Sequence, residues 1–177
     1  RINSKQDLAD LILEEMRKNN AVVYSGYSDE KILRDNIIDH LGEITPSNYK
    51  IISEKQKSEI KKTIEETIKK CNKVLPIPTK NYIFIFPWSP TEEYRMFDGI
   101  IGVAPYSCVL HLFLSPKLCS PNALANSVAH ELNHTIFYHH HYDKFNNYNL
   151  LDQLIMEGLA ENFREQTIDP THSPWSS

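Results

Sequence analysis

His130-Glu131-Leu132-Asn133-His134 constrains this chain more than any other feature. Around it, Ser127, Val128, Ala129, Leu132, Asn133, Thr135 and Ile136 are all uncharged, as a buried helix face would be. Burying two imidazoles and a carboxylate in such surroundings is costly unless each finds a partner. On an α-helix, residues four apart lie ~40° apart around the axis on consecutive turns, so both imidazoles can converge on one point. Ser120 at an N-cap and Pro121 at the first helical position announce such a helix, expected to run to about Tyr138. The rest of the chain has to build a wall against it.

Two neutral imidazole nitrogens on one helix face suit a zinc ion, whose tetrahedral shell in a catalytic site keeps one position for water. Glu131 sits one residue on from His130, beside such an ion rather than over it. Its carboxylate could accept a proton from water and later hand it to a leaving amine. The plainer reading is a pair of histidines satisfied by hydrogen bonds in a core. A third ligand would come from another element, and Met156-Glu157-Gly158-Leu159-Ala160-Glu161 offers two carboxylates four apart, pointing the same way. Taken alone, these could equally be solvent-facing acids of an amphipathic helix. Gly158 inside a helix costs about 1 kcal/mol relative to Ala, which suggests that another backbone, the zinc-bearing helix, packs close there.

The remaining sequence supports an α+β fold, read as one domain over residues 1–177 in two halves. Residues 1–74 are mainly helical. Ser4-Lys5-Gln6-Asp7 resembles a capping box opening a helix to about Arg17, with Leu8, Leu11, Ile12, Leu13 and Met16 inward. A second helix begins near Asp29, with Ile32, Leu33, Ile37, Ile38 and Leu41 inward, and a third spans about Glu54 to Cys71 with Ile60, Ile64 and Ile68 at steps of four. Residues 75–177 hold a small mixed sheet and the site helices. Tyr82 to Phe86, Gly99 to Val103 and Cys108 to Leu114 read as strands, the last two joined around Pro105-Tyr106-Ser107. A polar, aromatic-rich loop from His139 to Asn149 leads to a helix over roughly Leu150 to Gln166. Arg1 at the start and the abrupt stop at Ser177 are read as the ends of an excised piece, with more native sequence expected after Ser177.

Composition narrows the partners. The formal net charge of −4 and the interleaving of Lys with Glu from Lys55 to Lys70 argue against nucleic acid or an anionic membrane surface. No apolar run approaches the ~18–20 residues of a membrane span. Cys71, Cys108 and Cys119 form no C-x-x-C pair and leave one over, which fits free, mostly buried thiols in a reducing compartment such as the cytoplasm.

His130-Glu131-x-x-His134 followed by Glu157-Gly158-Leu159-Ala160-Glu161 resembles the gluzincin clan, and more closely a bacterial family of predicted zinc-dependent proteases. Gly102-Val103-Ala104 leading into Val109-Leu110-His111-Leu112-Phe113-Leu114, and Leu150-Leu151-Asp152, add to the likeness, which covers about residues 99 to 165. Met156 departs from the Asn that many relatives carry before the ligand. The resemblance implies a zincin-like fold and a zinc peptidase. It makes Glu157 the third ligand beside His130 and His134, Glu161 the acid that orients a ligand histidine, and Glu131 the general base. It also implies that the strand before the zinc helix is an edge strand holding peptide by strand addition. Here that segment is Cys108 to Leu114, with Val109, His111 and Phe113 against the substrate, although His111 reads as well as an ordinary strand side chain.

An oxyanion-stabilising donor is not singled out among Tyr138, Tyr142, Tyr148, His139, His140 and His141. The run His139-His140-His141 is expected to be a solvated loop rather than a second metal site. The expected function is hydrolysis of a peptide or protein substrate. The alternative is a zinc-stabilised peptide-binding or chaperone-like module without turnover, to which Glu131 would be dispensable.

Overall fold

A computed structural model of the chain describes residues 4–20, 22, 29–40, 52–87, 98–117, 119–141 and 148–169. Among these, five helices and a small mixed sheet form an α+β fold: α1 (Lys5–Lys18), α2 (Glu30–His40), α3 (Glu54–Val74), β1 (Tyr82–Pro87), β2 (Ile100–Tyr106), β3 (Val109–Leu114), α4 (Pro121–His140) and α5 (Leu150–Thr167). Leu41, Tyr142, Pro174 and Trp175 lie outside the described residues.

Local chemistry sets the helix starts. Ser4 and Ser53 each accept a hydrogen bond from the backbone N–H three residues on, and Asp7 and Gln56 reciprocate. Asn149 and Asp152 close a third such box at the head of α5. Each box satisfies two backbone N–H groups that a helix start leaves without an internal partner. At the head of α4, Ser120 accepts from the Ala123 N–H and Pro121 fills the first turn.

The strands are ordered β1-β3-β2, with β1 parallel and β2 antiparallel to β3. β3 is therefore the middle strand, and all six of its residues are buried. Its alternation divides the core. Val109 and Phe113 join Leu8, Ile12 and Met16 of α1 and Leu33 and Ile37 of α2 on one face. Leu110, Leu112 and Leu114 join Ile64 of α3, Val128 and Leu132 of α4 and Phe163 of α5 on the other. The period-2 swing of strand side chains thus lets one strand serve two helical layers. Leu11 and Ile32, expected inward, are 43% and 50% exposed, because the buried stripes of these short helices are narrower than their apolar content. Cys71 and Cys108 are buried thiols within these two clusters, pushed by burial up to about 12 and about 11.

β2 runs further than its sequence suggested, through Pro105 and Tyr106, with the turn at Ser107-Cys108. A register shift between Val103 and Tyr106 absorbs Pro105, which lacks an N–H for a regular ladder. Such a residue is tolerated because β2 is an edge strand; among the described residues its outer side carries no neighbour.

Candidate metal centre

The site forms where α4 crosses both β2 and α5. On α4, His130 and His134 bring their Nε2 atoms to 2.9 Å of each other, with the rings nearly perpendicular. From α5, Glu157 Oε2 lies 3.2 Å from His130 Nε2 and 3.6 Å from His134 Nε2. These three atoms point at one small volume, as metal ligands would. A tetrahedral zinc with bonds of ~2.0–2.1 Å spaces its ligand atoms ~3.3 Å apart, and the three observed separations bracket that value. The donor set, two imidazoles and a carboxylate, is the chemistry zinc prefers.

Electrostatics follow from this crowding. Hydrogen bonds from His130 and then His134 hold the Glu157 carboxyl far below the usual carboxylate range. For His130, burial opposes protonation, but the contact with Glu157 and the charges of Glu131 and Glu161 outweigh it and raise its pKa. On the far side of the imidazole, His130 Nδ1 lies 2.9 Å from Glu161 Oε1. A carboxylate can only accept, so Nδ1 carries a proton, and Nε2, which faces Glu157, is the nitrogen that would release its own proton and offer a lone pair to a metal.

Glu131 is buried, with its side chain laid against Gly102 of β2. Burial pushes its pKa up, opposed by the charges of His134 and His130 and by a hydrogen bond from the Ala104 backbone N–H. Gly102 makes this position possible. A Cβ there would stand 2.5 Å from Glu131 Cγ, 2.7 Å from its Oε1 and 2.8 Å from Ser127 Oγ. A strand glycine signals such a close approach, but the partner is not visible in sequence.

Two expectations need correcting. Val109, His111 and Phe113 lie on the buried middle strand, on the face turned to α1 and α2, where His111 packs edge-on against Phe84, Phe86 and Phe113. A paired central strand has no free edge to offer a peptide; strand order, a non-local property, puts β1 and β2 at the two edges. Gly158 does not mark a close backbone contact either: a Cβ there would meet nothing within 4 Å. α5 packs on its neighbours through Met156, Ala160, Phe163 and Arg164, and Gly158 is on its exposed side.

Of the candidate hydrogen-bond donors, Tyr138 stacks on His134 at 6.3 Å between ring centroids. Burial, with the nearby charge of Glu131, pushes its hydroxyl up to about 12, so it stays protonated. Tyr148 lies 6.3 Å from Tyr138 between centroids. His139 and His140 are exposed, and His141 packs on Phe137. Sequence reasoning missed Arg164, a charged side chain only 2% exposed that grips Glu161.

An α+β chain that gathers two helix-borne histidines and a glutamate from the following helix is a candidate metalloprotein. The sequence model of the family described as "Predicted Zn-dependent protease (DUF2268)" matches residues 60–177, two thirds of the chain, and the chain belongs to that family. No curated protein and no solved structure shows a match.

Proposed function

We propose that this protein is a zinc-dependent peptidase of the gluzincin type, with His130, His134 and Glu157 holding the metal and Glu131 serving as general base. What carries the reading is the convergence of His130, His134 and Glu157 beside a buried Glu131. A bound zinc ion would supply Lewis-acid polarisation and make a water it holds easier to deprotonate. Glu131 takes the proton from the attacking water and returns it to the leaving amine. Tyr138, protonated and beside His134, donates to the oxygen that gains charge as the carbonyl is attacked. Glu161 fixes the tautomer of His130.

Peptide substrate adds as a strand to the outer edge of β2, from Ile100 to Ala104, which passes directly over Glu131. Pro105 and the adjacent bulge end the usable ladder.

The test is zinc analysis of the purified chain beside digestion of a broad peptide library. Cleavage should stop on chelation and return with zinc. A zinc-loaded chain that binds peptides but cuts none would instead make this a zinc-stabilised peptide-binding module. A second expectation concerns Gly102→Ala. The added methyl group must displace the Glu131 side chain, so kcat should fall by about 10²-fold while zinc content stays at the parental level. Parental kcat in that variant would mean that Glu131 need not sit where it does.

A further inference from the structure

Arg164 is the largest fully buried side chain among the described residues, and it carries a charge. Arginine is almost never fully buried unless it is paired, so its partners explain its presence. Nε and Nη2 both donate to Glu161 Oε2, at 3.0 and 2.9 Å, and Nη2 also reaches Glu165 Oε1 at 3.3 Å. Nη1 donates to Asn126 Oδ1 on α4 at 3.1 Å and to the Asp169 carbonyl at 3.2 Å. Asp169 is in turn bound through its carboxylate by Asn122 of α4, at 3.1 Å. The other oxygen of Glu161 is the one facing His130 Nδ1. A continuous run thus leads from α4 through Asn126, Arg164 and Glu161 back to His130 on the same helix.

We propose that Arg164 is a positioning residue for metal binding, acting through Glu161 on His130. The proposal rests on His130 being a metal ligand. The physical argument is one of carboxylate orientation. Glu161 has free rotation along its stem, and one oxygen bound to Nδ1 does not by itself fix it. Two donors from the planar guanidinium on Oε2 pin the opposite corner, leaving Oε1 aimed at Nδ1. His134 has no such support: its buried Nδ1 finds no hydrogen-bond partner among the described residues. Outer support of the ligand set is therefore concentrated on His130. Because Arg164 is itself fixed by Asn126, one turn before His130, the ring and the acid that orients it share one frame.

A purely structural role, tying α5 to α4, would also explain buried contacts, and a double-mutant cycle read in zinc affinity separates the two. Competitive chelator titration should show Arg164→Lys, which keeps the charge but loses the fork, binding zinc ~10–100-fold more weakly than the parent. Glu161→Ala should lose a similar factor, and the double variant should be no weaker than Glu161→Ala alone. The cobalt-substituted Arg164→Lys protein should also show shifted visible absorption bands, because the ligand ring has moved. Losses that multiply in the double variant, or parental affinity and spectrum in Arg164→Lys, would overturn the proposal. If Arg164→Lys does not fold, Glu161→Asp tests the same bridge. Its shorter stem cannot span Arg164 and His130 together, so parental zinc affinity there rejects the positioning role. A parent chain that binds no zinc rejects the metal centre and this inference together, whereas a zinc-binding parent with an unaffected Arg164→Lys rejects the inference alone.

Discussion

Glu131→Gln is expected to retain zinc and peptide affinity and to lose turnover by ~10²–10⁴-fold, with the loss in kcat more than in KM. Glutamine fills the same volume, so the close fit under Gly102 survives. Its amide can still accept the Ala104 N–H that Glu131 accepts, through its carbonyl oxygen. It cannot take a proton from water. Glu131 is the carboxylate that the α4 helix and the β2 backbone together fix beside the cluster, while Glu157 is committed to both histidines and Glu161 to His130 and Arg164. The measurement is cleavage of a substrate found by library digest, run beside the zinc content of both proteins. A variant that holds zinc and still cuts at the parental rate would sink the proposed base.

The second large effect concerns the metal itself. His134→Ala and Glu157→Ala should each lose zinc, by more than the ~10–100-fold that removal of an outer partner costs, because each deletes one of three donor atoms. The two variants are expected to differ in stability. His134 is 6% exposed within the packed α4, so its truncation also opens space beside Tyr138 and should lower the melting temperature of the metal-free protein. Glu157 is 55% exposed, and its removal should leave the metal-free fold almost unchanged. His139→Ala, on the exposed end of α4, should keep zinc at the parental level. Metal analysis after dialysis, with thermal melts of the stripped proteins, checks all three. Full zinc retention in Glu157→Ala would remove it from the ligand set and make Glu161 the candidate.

Membership of the predicted zinc-dependent protease family accounts for residues 60–177 and leaves α1 and α2 outside the match. Those helices cover the face of β3 that bears Val109 and Phe113, opposite the face that α4 covers. They bury one side of the sheet whose other side packs on α4.

What the sequence by itself determined was local. Ser4, Ser53 and Ser120 mark helix starts because a hydroxyl three residues before a free backbone N–H is satisfied within one turn. The four-residue spacings His130 to His134 and Glu157 to Glu161 put like groups on one helix face wherever those helices go. What only the tertiary structure decided was which faces meet. Strand order put β3 in the middle and β2 at the edge, and no property of a six-residue apolar run encodes its neighbours. Gly102 is a strand glycine like any other until Glu131 is laid across it, and Gly158 looked like a contact but faces open space. Nothing in the sequence sets Arg164, three residues after Glu161, apart from the arginines near helix ends, which are mostly solvated. Its burial depends on Asn126, 38 residues earlier in the chain, arriving from another helix to share its charge. Pairing across such a separation is settled by how α4 and α5 pack, because a buried ion is stable only where every partner has already been brought to it.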